Sequence, residues 1–573
     1  MKQLLLLLGA WLCFDTFAFA APTLKDLNLT VVEVTSGLSS PTTIEFIGPD
    51  DILVLQKDNG QVRRVIGGVL QPGAVLDVAV DNASERGLLG IAIHPNFPAS
   101  PFVYLYYTES SSSGDTSGIP TPVANRVYRY TWNGNSLLSP TLILDLPVTA
   151  GPNHDGGVIT FGPDGKLYVV IGDLNRDGQL QNFPGGPAPD NTSVILRIND
   201  DGTAPSDNPF FSQGGNVAKY YAYGIRNSFG MTFDPLTNKL WMTENGPNNY
   251  DEINLVEPGF NSGWEKIMGP DSRNANNVSD LFSLPGSHYA DPKFSWLSTV
   301  GPTAIVFLDS SNFGPQYEND VFVGDVNNGD LYHFKPNGAR NGFVFSGAGL
   351  ADLVADSSAE LEETILGQGF AGITDLKVGP DGRLYVVSIG AGKIYAITNA
   401  SLPPSFGVAT LPTAEVGVAY NTNLNVSGGN PPFVVSVIVG ALPPGLNVAG
   451  EAIAGTLTST KTSRFTLQIT DDVGASVTQR FRISTVGAVN IGNSSLPNGR
   501  VGRNYNARLT GRLGGKPFAW SLVGGSLPSG LSLDTVAGRI TGIPVAAGDT
   551  SLTFQVTDAL GGVAQKTLAL SVR

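Results

Sequence analysis

At 573 residues the chain is too long for one hydrophobic core and requires two to four domains. Its apolar fraction of 41% is ample for packed cores and excludes a disordered chain, while 70 glycines and 39 prolines with few charges indicate a turn-rich β protein. A net charge of −15 excludes a protein that grips nucleic acid by neutralising phosphates, and the lone cysteine, Cys13, excludes a disulfide framework.

The N-terminus has the parts of a secretory signal: Lys2, the apolar run Leu4 to Leu12, and Ala18-Phe19-Ala20 as a cleavage site. Residues 1–20, Cys13 included, are expected to be removed, giving a secreted product in the periplasm, outside the cell or on its surface. No later stretch offers the roughly 18 consecutive apolar residues of a membrane helix. Past Ser401, twelve Lys and Arg stand against seven Asp and Glu, or +5, which leaves −20 on the part before it. That acidity suits cation binding.

From residue 21 to 400 apolar runs alternate with turns that repeat one formula. Phe161-Gly-Pro-Asp-Gly-Lys-Leu-Tyr-Val-Val-Ile-Gly-Asp173 returns as Val378-Gly-Pro-Asp-Gly-Arg-Leu-Tyr-Val-Val-Ser-Ile-Gly390. Weaker copies begin at Phe46, Ile93, Phe233 and Phe307. Each reads as strand, Pro-Asp-Gly type turn, strand. Six such hairpins imply radial repetition, a β-propeller with loops of several blades around one central mouth.

Two stretches bring chemistry to that mouth. Gly151-Pro-Asn-His-Asp-Gly-Gly157 puts His154 on a glycine-rich loop just before a repeat strand, and the next turn carries Asp173. A neutral imidazole whose tautomer is fixed by a carboxylate can take a proton from a hydroxyl at neutral pH. His94 and His333 read as structural, and His288 has no assignable role. The second stretch runs from Tyr221 to Trp264. Strands at Met231–Phe233 and Lys239–Thr243 flank the turn Asp234 to Asn238, so Gly224-Ile-Arg-Asn227 and Glu244-Asn-Gly-Pro247 are expected to meet. Arg226 there could meet an anion or a polarised carbonyl, and the backbone carbonyls beside Pro247 suit a hard cation such as calcium.

Beyond Asn399 the pattern changes. After a linker beginning Ser401-Leu-Pro-Pro, two similar units follow, 401–486 and 487–573: Leu442-Pro-Pro-Gly-Leu446 matches Leu527-Pro-Ser-Gly-Leu531, and Phe465 to Asp471 matches Phe554 to Asp558. Alternating strands with Pro and Gly turns predict tandem immunoglobulin-like sandwiches, similar to the Ig-like and cadherin-like modules of bacterial surface proteins. Asp471 and Asp558 read as turn caps, with calcium at the module joints as the other reading.

Five motifs together resemble the glucose/sorbosone dehydrogenase family of soluble, pyrroloquinoline-quinone (PQQ)-dependent aldose dehydrogenases. They are Glu85-Arg-Gly-Leu-Leu-Gly-Ile-Ala-Ile-His-Pro95; Asn153-His-Asp-Gly-Gly157; Gly162-Pro-Asp-Gly-Lys-Leu-Tyr168 with Gly172-Asp173; Gly224-Ile-Arg-Asn227; and Glu244-Asn-Gly-Pro247 with Asp251-Glu-Ile-Asn-Leu255 and Asn261-Ser-Gly-Trp264. The resemblance implies an all-β protein, a six-bladed propeller followed by the two sandwiches, with the quinone over the mouth. It implies that His154 is the general base, that Asp173 orients it, and that Arg226 and Asn227 stabilise charge on the quinone carbonyl. Gly246 and Pro247 would lend carbonyl oxygens to a calcium ion, Asp251 and Glu252 resemble ligands of a second calcium, Glu85 matches a substrate contact, and Trp296 an aromatic wall of the cofactor and sugar site.

The sequence departs from the family pattern where better-known members hold the quinone carboxylates with a Lys and two Arg. Asn327, Gly372 and Thr374 stand there, with Lys377, Arg383 and Lys393 nearby. Each lost charge-assisted hydrogen bond would cost about 1.5 to 3 kcal/mol. The resulting expectation is an exported oxidoreductase that oxidises an aldose or related polyol at C1 and passes electrons to an external acceptor. The alternative is a non-catalytic calcium-binding surface protein whose propeller holds a glycan or protein partner.

Overall fold

The computed structural model describes residues 21–399, 403–429, 432–472 and 474–573. The expected signal segment and the first residues of the linker lie outside the described residues. Two compact units divide the chain after Asn399.

The first unit contains six sheets among the described residues, each with four or more strands. Every one of the six hairpins read from the sequence is the first pair of strands of one blade. Blade 1 starts with Pro41–Gly48 and Asp51–Gln56, blade 2 with Leu88–Ile93 and Phe102–Glu109, and blade 3 with Ile159–Phe161 and Leu167–Ile171. Blade 4 starts with Gly230–Phe233 and Leu240–Glu244, blade 5 with Pro302–Phe307 and Val321–Asp325, and blade 6 with Ile373–Val378 and Leu384–Ser388. The first strands stand around an axial cavity of about 320 Å³, to which they contribute Thr42, Leu89, Thr160, Thr232, Thr303 and Thr374.

The repeated turn has a local cause. Asp164 accepts the backbone N–H of Lys166 at 3.0 Å, and Tyr168 on the returning strand donates its hydroxyl to the same carboxylate at 3.1 Å. Asp381 does the same for Arg383, at 3.0 Å, and Tyr385, at 2.8 Å. One Asp thus closes the turn and pins the next strand, which is why the formula recurs as a block. Second strands lie between neighbouring blades with both faces covered, so Leu167–Ile171 and Val321–Asp325 are buried throughout and read as continuous apolar runs. Between blades 4 and 5 the core is aromatic: Trp241 meets Phe307 and Phe343, and Phe294 and Trp296 meet Phe334. The ring closes with the N-terminal strand Leu29–Ser36, which pairs antiparallel with Lys393–Asn399 as the outermost strand of blade 6. One short helix, Ser358–Thr364, is capped by Ser357 and Glu360.

The second unit holds the two sandwiches. In the first, Val434–Gly440, Ser463–Thr470 and Ser476–Ile483 form one sheet, and Ala419–Asn423, Ala452–Thr456 and Leu446–Ala449 the other. They share a core that includes Ile453, Phe465, Leu467 and Phe481. The second repeats the plan around Trp520, Ile540, Phe554 and Leu568. Asp558 accepts N–H bonds from Gly515, Leu560 and Gly562, and Asp471 one from Ala475, so both carboxylates cap turns.

Glu415 of the first sandwich reaches the second. Only 2% exposed, it accepts the Val489 N–H at 2.7 Å and lies against the Asp558 carboxyl. Burial and the neighbouring Asp558 push its pKa up to about 7. A carboxyl that holds its proton more tightly when folded stabilises the fold below the ordinary carboxylate range and loses that contribution as pH rises to about 7. Calorimetry between pH 5 and 8 is therefore expected to show the sandwich transition falling with pH, and Glu415→Gln should flatten that slope.

Candidate active site

His154 sits in the loop that enters blade 3, with a left-handed backbone (φ +64°) and 8% exposure. Its N–H donates to Glu85 Oε2 at 2.5 Å, and its Nδ1 lies 2.6 Å from Asp173 Oδ1. The buried Asp173 also accepts the Asn175 N–H at 2.7 Å and, on Oδ2, the Trp264 indole N–H at 2.7 Å. An ionised carboxylate only accepts, so Nδ1 is the donor in this pair and Nε2 is the ring nitrogen left outside it. The neighbouring Gly172 is wedged between the His154 and Arg226 backbones: a Cβ there would lie 2.5 Å from the His154 carbonyl oxygen and collide with that of Arg226. The Asp173 N–H then bonds the Arg226 carbonyl at 2.9 Å. The His154 loop, Asp173 and the guanidinium-bearing loop are thus joined through backbone.

Arg226 donates its N–H to Glu244 Oε1 at 2.7 Å and Nη1 to the Asn245 carbonyl at 2.9 Å, and its guanidinium lies 5.2 Å from the Trp264 ring centroid. The two loops expected to meet therefore do. Burial lowers the Arg226 pKa from its ordinary value. Asn227 Nδ2 donates to Glu85 Oε2 at 3.0 Å, so one carboxylate of blade 2 holds both the His154 loop and Asn227. Arg226 Nε, Asn227 Oδ1 and Asn245 Oδ1 are buried without partners. Buried polar atoms left in that state fit a site completed by a ligand.

Behind the guanidinium lie three buried carboxyls. Glu244 and Glu252 face each other across adjacent strands. Burial pushes Glu244 up to about 7, and burial with the Glu244 charge holds Glu252 well above its ordinary value. Glu252 accepts the Gly269 N–H at 2.5 Å and the Asn254 amide at 2.8 Å. Asp251 spends one oxygen on the Gly246 N–H at 2.7 Å and the other on Val300 and Gly301, at 2.6 and 2.7 Å, and so fixes the Gly246-Pro247 loop. The carbonyl oxygens of Gly246 and Pro247 accept no hydrogen bond among the described residues, which fits a hard cation there. No three His, Cys, Asp or Glu among the described residues are grouped to hold a metal ion.

Trp296 is not at the mouth. It is 1% exposed and packs on Phe294, Tyr332 and Phe334, because it follows the blade 4 strand into the core between blades 4 and 5. The aromatic side chain that does reach the site is Trp264, which the sequence reading quoted in a motif without assigning it a role. It is held there by Asn182, whose amide donates to the Trp264 carbonyl at 2.7 Å and to Asn261 at 3.0 Å. Arg86, next to Glu85, was likewise passed over. It is buried and donates to the carbonyls of Val148 and Gly151, tying down the loop that carries His154. The nearby Lys377, Arg383 and Lys393 are each paired with a carboxylate, of Glu45, Asp381 and Glu33, rather than standing in for the clamp. Asn327 is exposed, Gly372 has φ +83°, and Thr374 donates to the Pro41 carbonyl at 3.0 Å.

The model of the Glucose / Sorbosone dehydrogenase family matches residues 38–396. The chain belongs to the glucose/sorbosone dehydrogenase family. An Ig-domain family model also matches residues 488–573. Among relatives in this family, the aldose sugar dehydrogenase YliI of Escherichia coli K12 is 27% identical over 382 residues, covering 66% of this chain and 93% of its own. The quinoprotein glucose dehydrogenase B of Acinetobacter calcoaceticus is 33% identical over 264 residues, 43% of this chain and 54% of its own. Among solved structures, the apo form of the E. coli soluble aldose sugar dehydrogenase superposes with a TM-score of 0.52 at 23% identity, covering 65% of this chain and 99% of its own. As a family member the chain is a sugar-dehydrogenase-type oxidoreductase with a propeller fold.

The two tryptophans are expected to separate in denaturant unfolding. Trp296→Ala should cost the propeller about 3 to 5 kcal/mol by leaving a core cavity. Trp264→Phe should cost about 1.5 to 3 kcal/mol, the value of one hydrogen bond to a charged group.

Proposed function

We propose that the protein is an exported sugar oxidoreductase that oxidises the C1 hydroxyl of an aldose or related polyol, with PQQ and calcium at the propeller mouth. The observation that carries this reading is the Asp173–His154 pair at 2.6 Å, linked through Gly172 to an Arg226 whose Nε has no partner. Asp173 holds the imidazole so that Nε2 accepts the hydroxyl proton, and the imidazolium that forms is stabilised by the same carboxylate. Glu85 fixes the His154 backbone and Asn227 together, which sets the distance between base and guanidinium. Arg226, half-buried against Trp264, presents a positive charge to an oxygen that becomes negative as hydride leaves C1.

When bound, PQQ supplies the two-electron acceptor for that hydride. The unpaired Arg226 Nε is a donor that fits its carbonyl edge, and the Gly246 and Pro247 carbonyls would hold the calcium ion. At its carboxylate edge Asn327, Gly372 and Thr374 offer no charge. PQQ is therefore expected to bind through its carbonyl edge and more weakly than a clamped site would hold it. Export is supported by the sequence of residues 1–20.

The test is reconstitution of purified protein with PQQ and calcium, followed by assay of an aldose panel with an artificial electron acceptor. Activity is expected that is lost on calcium chelation, with His154→Ala lowering kcat by about 100- to 10,000-fold. Folded protein that neither binds PQQ in a fluorescence titration nor oxidises any sugar would sink the reading and favour a non-catalytic glycan or protein binder.

A further inference from the structure

In the first sandwich, the outward face of strands Ser463–Thr470 and Ser476–Ile483 carries three exposed arginines, Arg464, Arg480 and Arg482. Arg464 is directly across from Arg482, and Arg480 from Thr466, so all three occupy two neighbouring rungs of one strand pair. None of them forms an ion pair or hydrogen bond among the described residues. The other outward positions on these strands, Gln468, Thr470, Ser476 and Thr478, are neutral, so no carboxylate on either strand offsets the charge. Like charges directly opposite on a sheet repel and lower its stability.

The second sandwich shows that the fold does not require them. Its Leu552-Thr-Phe-Gln-Val-Thr-Asp558 repeats Phe465-Thr-Leu-Gln-Ile-Thr-Asp471, and the corresponding rungs hold Ser551 opposite Ala569 and Thr553 opposite Thr567. There the two threonine hydroxyls bond each other at 2.9 Å, and on the next rung Gln565 bonds Gln555 at 2.7 Å. The same architecture thus closes with the neutral pair Ser551 and Ala569 where the first copy sets guanidinium against guanidinium, and with a hydrogen-bonded threonine pair where the first copy sets Arg480 against Thr466. The arginine face is also concave. A hollow of about 560 Å³ is lined by the three arginines together with Thr410, Thr466 and Val439.

We propose that this arginine-lined hollow is a binding site for an acidic polysaccharide, with sugar carboxylates seated on the guanidinium groups. A guanidinium fork matches a carboxylate with two parallel hydrogen bonds, and an anion between Arg464 and Arg482 turns their repulsion into attraction. The Thr410 and Thr466 hydroxyls suit sugar hydroxyls, and the exposed Val439, at 62%, suits the apolar face of a pyranose ring. A thin flexible polymer matches a charge cluster confined to two neighbouring rungs of one strand pair, whereas a duplex nucleic acid or an anionic bilayer is an extended negative surface that so small a cluster contacts only in part. The hollow also presents no exposed aromatic ring for base stacking, since Phe465 and Phe481 are buried. Binding at this site is independent of the redox reaction, and its test involves no turnover.

Calorimetric titration of the full-length protein with polygalacturonate, at about 50 and 200 mM salt, with neutral dextran as control, decides the matter. Binding is expected to polygalacturonate and not to dextran, and to weaken at the higher salt. Arg480→Gln with Arg482→Gln should weaken it at least tenfold. The triple change Arg464→Ser, Arg480→Thr and Arg482→Ala, which installs the second sandwich's residues, should abolish it while leaving the melting temperature equal or higher. If the triple variant does not fold, the double variant gives the same reading. The proposal is overturned if polygalacturonate is not bound at the lower salt, if binding survives these changes, or if duplex DNA or phosphatidylserine vesicles bind more tightly through the same arginines.

Discussion

The hydrogen bond between Asp173 and His154 is the constraint around which the mouth is built. It joins residues from different loops of one blade, and each partner is held by other parts of the ring. Asp173 is fixed by the Trp264 indole, which is positioned in turn by the Asn182 and Asn261 amides. His154 is fixed by Glu85 of blade 2, and its loop by Arg86. A strained left-handed backbone at a non-glycine residue persists only where its surroundings over-determine it, and that is the case at His154. Without Gly172 the chains carrying His154 and Arg226 could not come so close.

Charge at this mouth is unbalanced. One guanidinium, Arg226, stands against Glu85, Asp173, Glu244, Asp251 and Glu252, and the basic residues in the corresponding part of blade 6 are paired elsewhere. Two consequences follow from electrostatics alone. Burial raises the pKa values of Glu244 and Glu252 above the ordinary carboxylate range. The remaining acid makes the mouth attractive to a cation, which would be held by neutral carbonyl oxygens of a loop that Asp251 keeps in shape. The acid here anchors loops as much as it offers ligands.

Much of this was legible in the sequence where the causes are local. The Pro-Asp-Gly turn writes its own geometry, since Asp164 and Asp381 satisfy a backbone group two residues on and a Tyr four residues on, and six such turns reveal the blade count. His154 with Asp173 could be proposed because they flank one hairpin. Trp264 could not, because its partner Asp173 is 91 residues away and nothing local distinguishes that indole from a core residue. Trp296 was misplaced for the opposite reason: aromaticity says nothing of which face of a strand points inward, and a shift by one position exchanges mouth for core. The paired state of Lys377, Arg383 and Lys393 was equally invisible, since it depends on side-chain directions.

The propeller is closed by an early strand lying against its last: Leu29 faces Asn399 and Ser36 faces Lys393. During synthesis the opening segment must therefore wait, unpaired, for some 360 further residues before its partner exists, and the circle cannot be finished piecemeal. Long-separated contacts of this kind carry a large entropic cost and slow the final step. The half-formed ring exposes two ragged sheet edges throughout that wait, an opportunity for rival pairings between chains. The sandwiches, encoded afterwards, emerge only once the clasp has become possible.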